Sequence, residues 1–123
     1  MKKQNFVDLA NAENCPVRNV LDRFGDKWST LILLVLRERG TLRFGAIHRA
    51  IGTISQKMLT VSLKKLEADG LISREVYPEV PPRVEYALTE RADSLVPLLQ
   101  QLVVWANDNM DDIRADRSAS SVS

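Results

Sequence analysis

Between Phe44 and Tyr86 the chain sets out an order of signals that few folds satisfy. Phe44 to Ala50 carries apolar residues at helical spacing, and Gly52 breaks the run. Ser55 then opens a second helix that Gly70 closes, and two alternating, strand-like runs follow around Pro81-Pro82. That order reads as a helix-turn-helix followed by a β-hairpin wing, in a mainly α fold with a small sheet. Such an architecture offers one exposed helix face to a major groove of double-stranded DNA and a projecting loop beside it. The implied chemistry is the reading of duplex DNA.

Length and composition narrow the alternatives. The 123 residues, 45% of them apolar, suit one compact domain with one core. The densest apolar run, Leu31 to Leu36, is about a third of a membrane span, and Met1-Lys2-Lys3 leads into mixed polar sequence instead of a signal h-region. A soluble, cytoplasmic chain is expected. One cysteine (Cys15) and one histidine (His48) supply neither a disulfide framework nor the shell of a structural zinc site, and no cofactor or metal is implied. Nor is an enzyme expected, because His48 stands in a helix without a Ser-His-Asp order or a glycine-rich phosphate loop.

The net charge of +1 is unevenly spread. From Arg37 to Arg83 nine Lys/Arg face five Asp/Glu, a balance of +4, while eight against eleven elsewhere give −3. Local positive potential, and not the total, governs docking on phosphates. Charge alone favours an ordinary solvated surface, and it is the position of these cations relative to the expected reading helix that shifts the weight.

Met1 to Asn14 shows little pattern beyond Phe6, Val7 and Leu9, and reads as an arm or a short helix. Residues 15–113 form the expected domain. Pro16 suits the first turn of a helix whose stripe is Val17, Val20, Leu21 and Phe24, ended by Gly25. From Lys27 the apolar residues Trp28, Leu31, Ile32, Leu34, Val35 and Leu36 cover more than half the circumference, so this helix should be the centre of the core, with Gly40 stopping it. Thr41 to Arg43 suits a short third strand. In the next helix Phe44 and Ile47 face inward, and Arg43 and Arg49 stand where phosphates can be reached.

The helix opened by Ser55 carries Leu59, Leu63 and Leu66 on one side. Ser55 is a plausible N-cap, and the free amides of the first turn also favour a nearby phosphate. Opposite the leucines lie Lys57, Val61, Lys64 and Lys65, with Gln56 in the first turn and Thr60 and Met58 on the flanks. Lysine can bond guanine or neutralise phosphate, and valine or the threonine methyl can touch a thymine methyl. In the hairpin, Pro78, Pro81 and Pro82 remove three backbone donors and stiffen the loop, which would hold Arg83 near the tip for a narrow minor groove. A loop that merely protects a sheet edge accounts for the prolines equally well.

Thr89-Glu90 marks a last helix, in which Leu95, Leu98, Leu99, Leu102, Trp105, Ala106 and Ile113 recur at three- and four-residue spacing, with Pro97 expected to bend or break it. The stripe, about residues 89–113, can simply pack on the chain's own core, but with that core already filled by three earlier helices the surplus points to a homodimer. Residues 114–123, ending Ser-Ala-Ser-Ser-Val-Ser, read as a disordered tail.

The sequence resembles the HxlR-type winged helix-turn-helix transcriptional regulators, relatives in fold of the MarR group. The match runs in order through Cys15-Pro16, Gly25-Asp26-Lys27-Trp28, Leu42-Arg43-Phe44, Ile54-Ser55-Gln56-Lys57-Met58-Leu59, Leu66-Glu67-Ala68-Asp69-Gly70-Leu71-Ile72, Tyr77-Pro78-Glu79-Val80-Pro81-Pro82-Arg83-Val84-Glu85-Tyr86, Leu88-Thr89 and Trp105. Asp26, where a second glycine is common, and Arg91-Ala92, where a glycine often follows the threonine, depart from the pattern. The resemblance implies a homodimer joined through terminal helices, with the Ser55 helix in the major groove and the Arg83 wing beside it. Several members of the family sense electrophiles or oxidants through a cysteine at the Cys-Pro position, which makes Cys15 a candidate thiol sensor and an oxidant, aldehyde or other electrophile a candidate effector. Unpaired amides at a helix start favour a reactive thiolate. Against this, free cysteines are often simply buried, and the chain holds no second cysteine to resolve a sulfenic acid.

The resulting expectation is a dimeric DNA-binding regulator, a repressor in preference to an activator, addressing half-sites about one helical turn apart. The competing reading is a winged-helix module that docks proteins and binds no specific DNA.

Overall fold

The computed structural model describes residues 15–122, so the expected N-terminal arm lies outside the described residues. The element order is α1 (Pro16–Phe24), α2 (Lys27–Arg39), β1 (Leu42–Arg43), α3 (Phe44–Ile51), α4 (Gln56–Ala68), β2 (Ile72–Tyr77), β3 (Arg83–Leu88) and α5 (Ala92–Val122). This is a winged helix-turn-helix, with the three strands forming one antiparallel sheet in the order β1-β3-β2.

Local chemistry accounts for the boundaries. Pro16 starts α1, and Asp26 caps α2 by accepting the Ser29 amide at 2.8 Å. Ser55 caps α4 in the same way, its hydroxyl accepting from Met58 N at 3.0 Å. Gly70, at φ 77°, reverses the chain after α4 in a left-handed conformation that side chains resist.

The core sits where α2 crosses α3, α4 and α5 over one face of the sheet. Ile32, Leu33 and Leu36 of α2, Ile47 of α3, Leu59, Leu63 and Leu66 of α4, Ile72 of β2, and Ala92 and Val96 of α5 are buried together. Burying three leucines on one face of α4 stabilises its placement by roughly 1.5–3 kcal/mol each. In α2 it is Leu33 that joins Ile32 and Leu36 inside, while Leu31 turns outward.

The hairpin register fixes which side chains share a face. Ile72↔Leu88, Arg74↔Tyr86 and Val76↔Val84 pair on one side, and Ser73↔Ala87, Glu75↔Glu85 and Tyr77↔Arg83 on the other. Ile72 is buried, so the first set faces the helices. β1 adds Leu42↔Tyr86 and Arg43↔Glu85.

Pro97, expected to bend or break the last helix, does not break it; it lies inside α5, at the cost of the bond that its missing N–H would have given Asp93 O. The expectation for the C-terminal end is corrected. Residues 114–122, expected as disordered tail, continue the helix to Val122. Arg114, Ala115 and Arg117 are good helix formers, and once a helix is propagating, adding serines is inexpensive.

Candidate nucleic-acid interface

The outer face of α4 is built by the burial of its inner face. With Leu59, Leu63, Leu66 and also Ser62 directed into the core, the helical period turns Gln56, Lys57, Thr60, Val61 and Lys64 to solvent, where all five are exposed. Thr60 Oγ1 donates to Gln56 O at 2.9 Å, which commits its hydroxyl hydrogen to the helix. No acidic side chain lies in the first turn of α4, so the positive end of the helix dipole is uncompensated there. Lys57, Lys64, Arg43 and Arg49 carry no ion pair among the described residues, and Arg43 and Arg49 are exposed at the two ends of α3.

Lys65 departs from the expectation. Instead of joining the outward cations, it turns to the start of α2, where its Nζ lies 2.7 Å from Asp26 Oδ2. Burial pushes the Asp26 carboxyl upward, but the Lys65 ammonium and the Ser29 amide outweigh it and bring the pKa down to about 2.

Arg83 also departs from it. The residue opens β3 and does not project from the loop, whose fully exposed member is Val80. Cross-strand register sets Arg83 opposite Tyr77, and its guanidinium lies 4.0 Å from that ring centroid. Glu79 Oε2 stands 2.9 Å from Nη1, and Glu85 Oε2 is 3.3 Å from Nε without hydrogen-bond geometry. Two carboxylates and a ring thus fold Arg83 back and brace the base of the wing.

A residue not singled out from the sequence completes the cationic surface. Arg74 is exposed, has no ion pair among the described residues, and lines a cleft of about 440 Å³ with Lys64, Thr60, Leu63 and Glu67 of α4, Phe44 of α3 and Tyr86 of β3. The signal was present: Arg74 is in phase with Ile72 and Val76, so strand alternation puts it on the face directed at α4.

Cys15 caps α1 without a side-chain hydrogen bond and is 3% exposed. The α5 stripe splits in two. Leu95 and Leu99 pack against the chain's own core, while Leu98, Leu102 and Trp105 are each more than half exposed and Ala106 is half-buried. Val17, Val20 and Leu21 of α1 are exposed as well, so two helices present uncovered apolar side chains.

The sequence profile of the HxlR-like helix-turn-helix family matches residues 23–114. The chain belongs to that family. An uncharacterized HTH-type transcriptional regulator of Methanothermobacter thermautotrophicus is 52% identical over 91 residues, covering 74% of this chain and 69% of the relative. Among solved structures, a transcriptional regulator ytfH from Salmonella typhimurium superposes with a TM-score of 0.78 at 42% identity, covering 88% of this chain and 96% of the other. The redox regulator HypR in its reduced form gives a TM-score of 0.76 at 41% identity, covering 81% and 98%. This member of the HxlR-like family is a helix-turn-helix transcriptional regulator. No helix among its described residues is long and apolar enough to cross a membrane.

Proposed function

We propose that the protein is a homodimeric, sequence-specific binder of duplex DNA that represses by occupying its operator. The observation that carries this reading is the outer face of α4: a capped, acid-free helix start followed by Lys57, Thr60, Val61 and Lys64, all exposed, with the lysines unpaired among the described residues. Gln56, Lys57 and Lys64 supply polar contacts to base edges or phosphates, and Thr60 and Val61 supply apolar ones. Arg43, Arg49 and Arg74 flank the helix as phosphate contacts. Arg83 acts through the shape of the wing it braces, and Lys65 through the placement of α4.

The homodimer is supported by Leu98, Leu102 and Trp105 of α5 and by the α1 stripe, which together leave apolar surface that a second copy can cover. A thiol response at Cys15 is supported by the likeness to HypR, a redox regulator. The burial of Cys15 sets its condition: the sulfur must be uncovered before an oxidant or electrophile reaches it.

The test is duplex binding as a function of salt, using sites selected from genomic fragments. Substituting Lys64 or Arg74 by Ala is expected to weaken binding across sequences and lower the salt slope by about 1 each, without altering the melting temperature. A chain that binds no duplex at any salt concentration is instead the protein-docking module.

A further inference from the structure

The corner between α1 and α2 holds the last turn of α4 by two crossed ion pairs. Arg23, in the last turn of α1, places Nη2 2.6 Å and Nε 3.1 Å from the two oxygens of Asp69, the C-cap of α4. Asp26, just past the corner, takes Lys65 Nζ at 2.7 Å. A cation and an anion on the corner thus meet an anion and a cation one turn apart on α4. Sliding the corner by that turn would set Arg23 against Lys65, so the charge pattern admits one register.

The two sides of this joint are held differently. α4 is fixed by its wholly buried leucines, and the carbonyl of Asp69 is held by Arg91 Nη1 at 2.9 Å, so the acceptor carboxylate stands on a rigid support. α1 buries no side chain. Beyond its capping Cys15, it meets the domain through Phe24, whose ring packs against the core and whose carbonyl accepts from Thr30 Oγ1 at 2.9 Å. Among the described residues Arg23 is the one α1 side chain bonded to another element, since Arg18 pairs with Asp22 inside the helix. Of the two partners, α1 is therefore the one that the joint orients.

We propose that Arg23 and Asp69 are positioning residues that set the direction of α1 on the domain carrying α4, and so set how far apart and at what angle a dimer holds its two α4 helices. The proposal deepens the function above and rests on the homodimer through α1 and α5. A bidentate guanidinium–carboxylate pair suits the task because its geometry is fixed in two directions at once, which a lysine would not provide.

The test measures α1 against α4 within one protomer. Spin labels at Arg18→Cys and Met58→Cys in a Cys15→Ser chain, diluted with unlabelled protein, are expected to give one narrow distance. Arg23→Gln or Asp69→Asn broadens it, the double substitution broadens it no further, and Asp69→Glu keeps it narrow. A distribution as narrow in Arg23→Gln and Asp69→Asn as in the parent chain overturns the proposal. In the unlabelled protein, both substitutions are expected to cost at least about fivefold in preference for the selected half-site spacing over the same halves moved by half a helical turn, the low end of ordinary coupling between sites. Affinity for a single half-site stays unchanged. Equal losses on single and paired half-sites would mark a merely structural pair and also overturn it. A parent chain that binds no duplex would remove the proposed function, and the label distances would still decide the joint.

Discussion

Replacing Asp26 separates two interactions that one carboxylate makes with its two oxygens. Oδ1 caps α2 through the Ser29 amide at 2.8 Å, and Oδ2 pairs with Lys65 at 2.7 Å. The fall of the carboxyl pKa from 3.8 to about 2 would correspond to roughly 2.5 kcal/mol at full value. The Asp26 side chain is 38% exposed and that of Lys65 30%, so screening by solvent reduces this to about 1 kcal/mol. Asparagine keeps a capping oxygen and loses the charge, so Asp26→Asn should lower stability by about 1 kcal/mol. Alanine also loses the cap, worth about 1 kcal/mol more. For a domain of this size, each kcal/mol moves the melting temperature by roughly 4 °C. Because the folded pKa is depressed, the charge-dependent part is present in full above about pH 4 and is lost as pH falls toward 2. Urea titrations of the three proteins at pH 7, at one protein concentration, should rank parent, Asn and Ala in that order. Thermal melts from pH 6 to 2.5 should narrow the gap between the parent and Asp26→Asn to about a third at the acid end. Equal stabilities at pH 7, or a gap that persists unchanged at pH 2.5, would refute the assignment of the lowered carboxyl to this pair.

Further outcomes follow from other parts of the molecule. Leu102→Asp combined with Trp105→Asp should yield monomers by sedimentation velocity, because desolvating two carboxylates in an apolar contact costs more than the contact returns; a persisting dimer would place the interface elsewhere. Cys15→Ser should retain duplex binding and lose any response to diamide, and identical responses in the two proteins would exclude the thiol. Gly70→Ala should cost roughly 1–2 kcal/mol, since its φ is +77° and a Cβ would come within 2.7 Å of Arg91 Nη1; a melt matching the parent would show that Arg91 and the turn adapt freely.

The order of elements was legible because each boundary is a local event. Pro16, Ser55, Gly40 and Gly70 act within a few bonds of themselves, and the 3.6-residue period of Leu59, Leu63 and Leu66 specifies which side of α4 must be buried before any partner is known. From that burial the exposure of Lys57, Thr60, Val61 and Lys64 follows by geometry alone. The α5 stripe was legible as apolar, but not as two edges, because Leu95 and Leu98 differ only in whether the core behind α2 meets them.

What the sequence could not supply were the pairings between distant side chains. Lys65 lies only one position from Lys64, yet it faces Asp26, 39 residues earlier in the chain, and Arg83 is drawn from the wing tip by a ring across the strand and by two carboxylates. A long, flexible cation goes to the nearest unpaired anion, and which anion is nearest is settled only when helices and strands have packed. Sequence thus determined the helices, the wing and the buried face of α4 through local sterics and periodicity. Tertiary packing decided which cations remain available to a ligand, because electrostatic partnership depends on distance in space and not on distance along the chain.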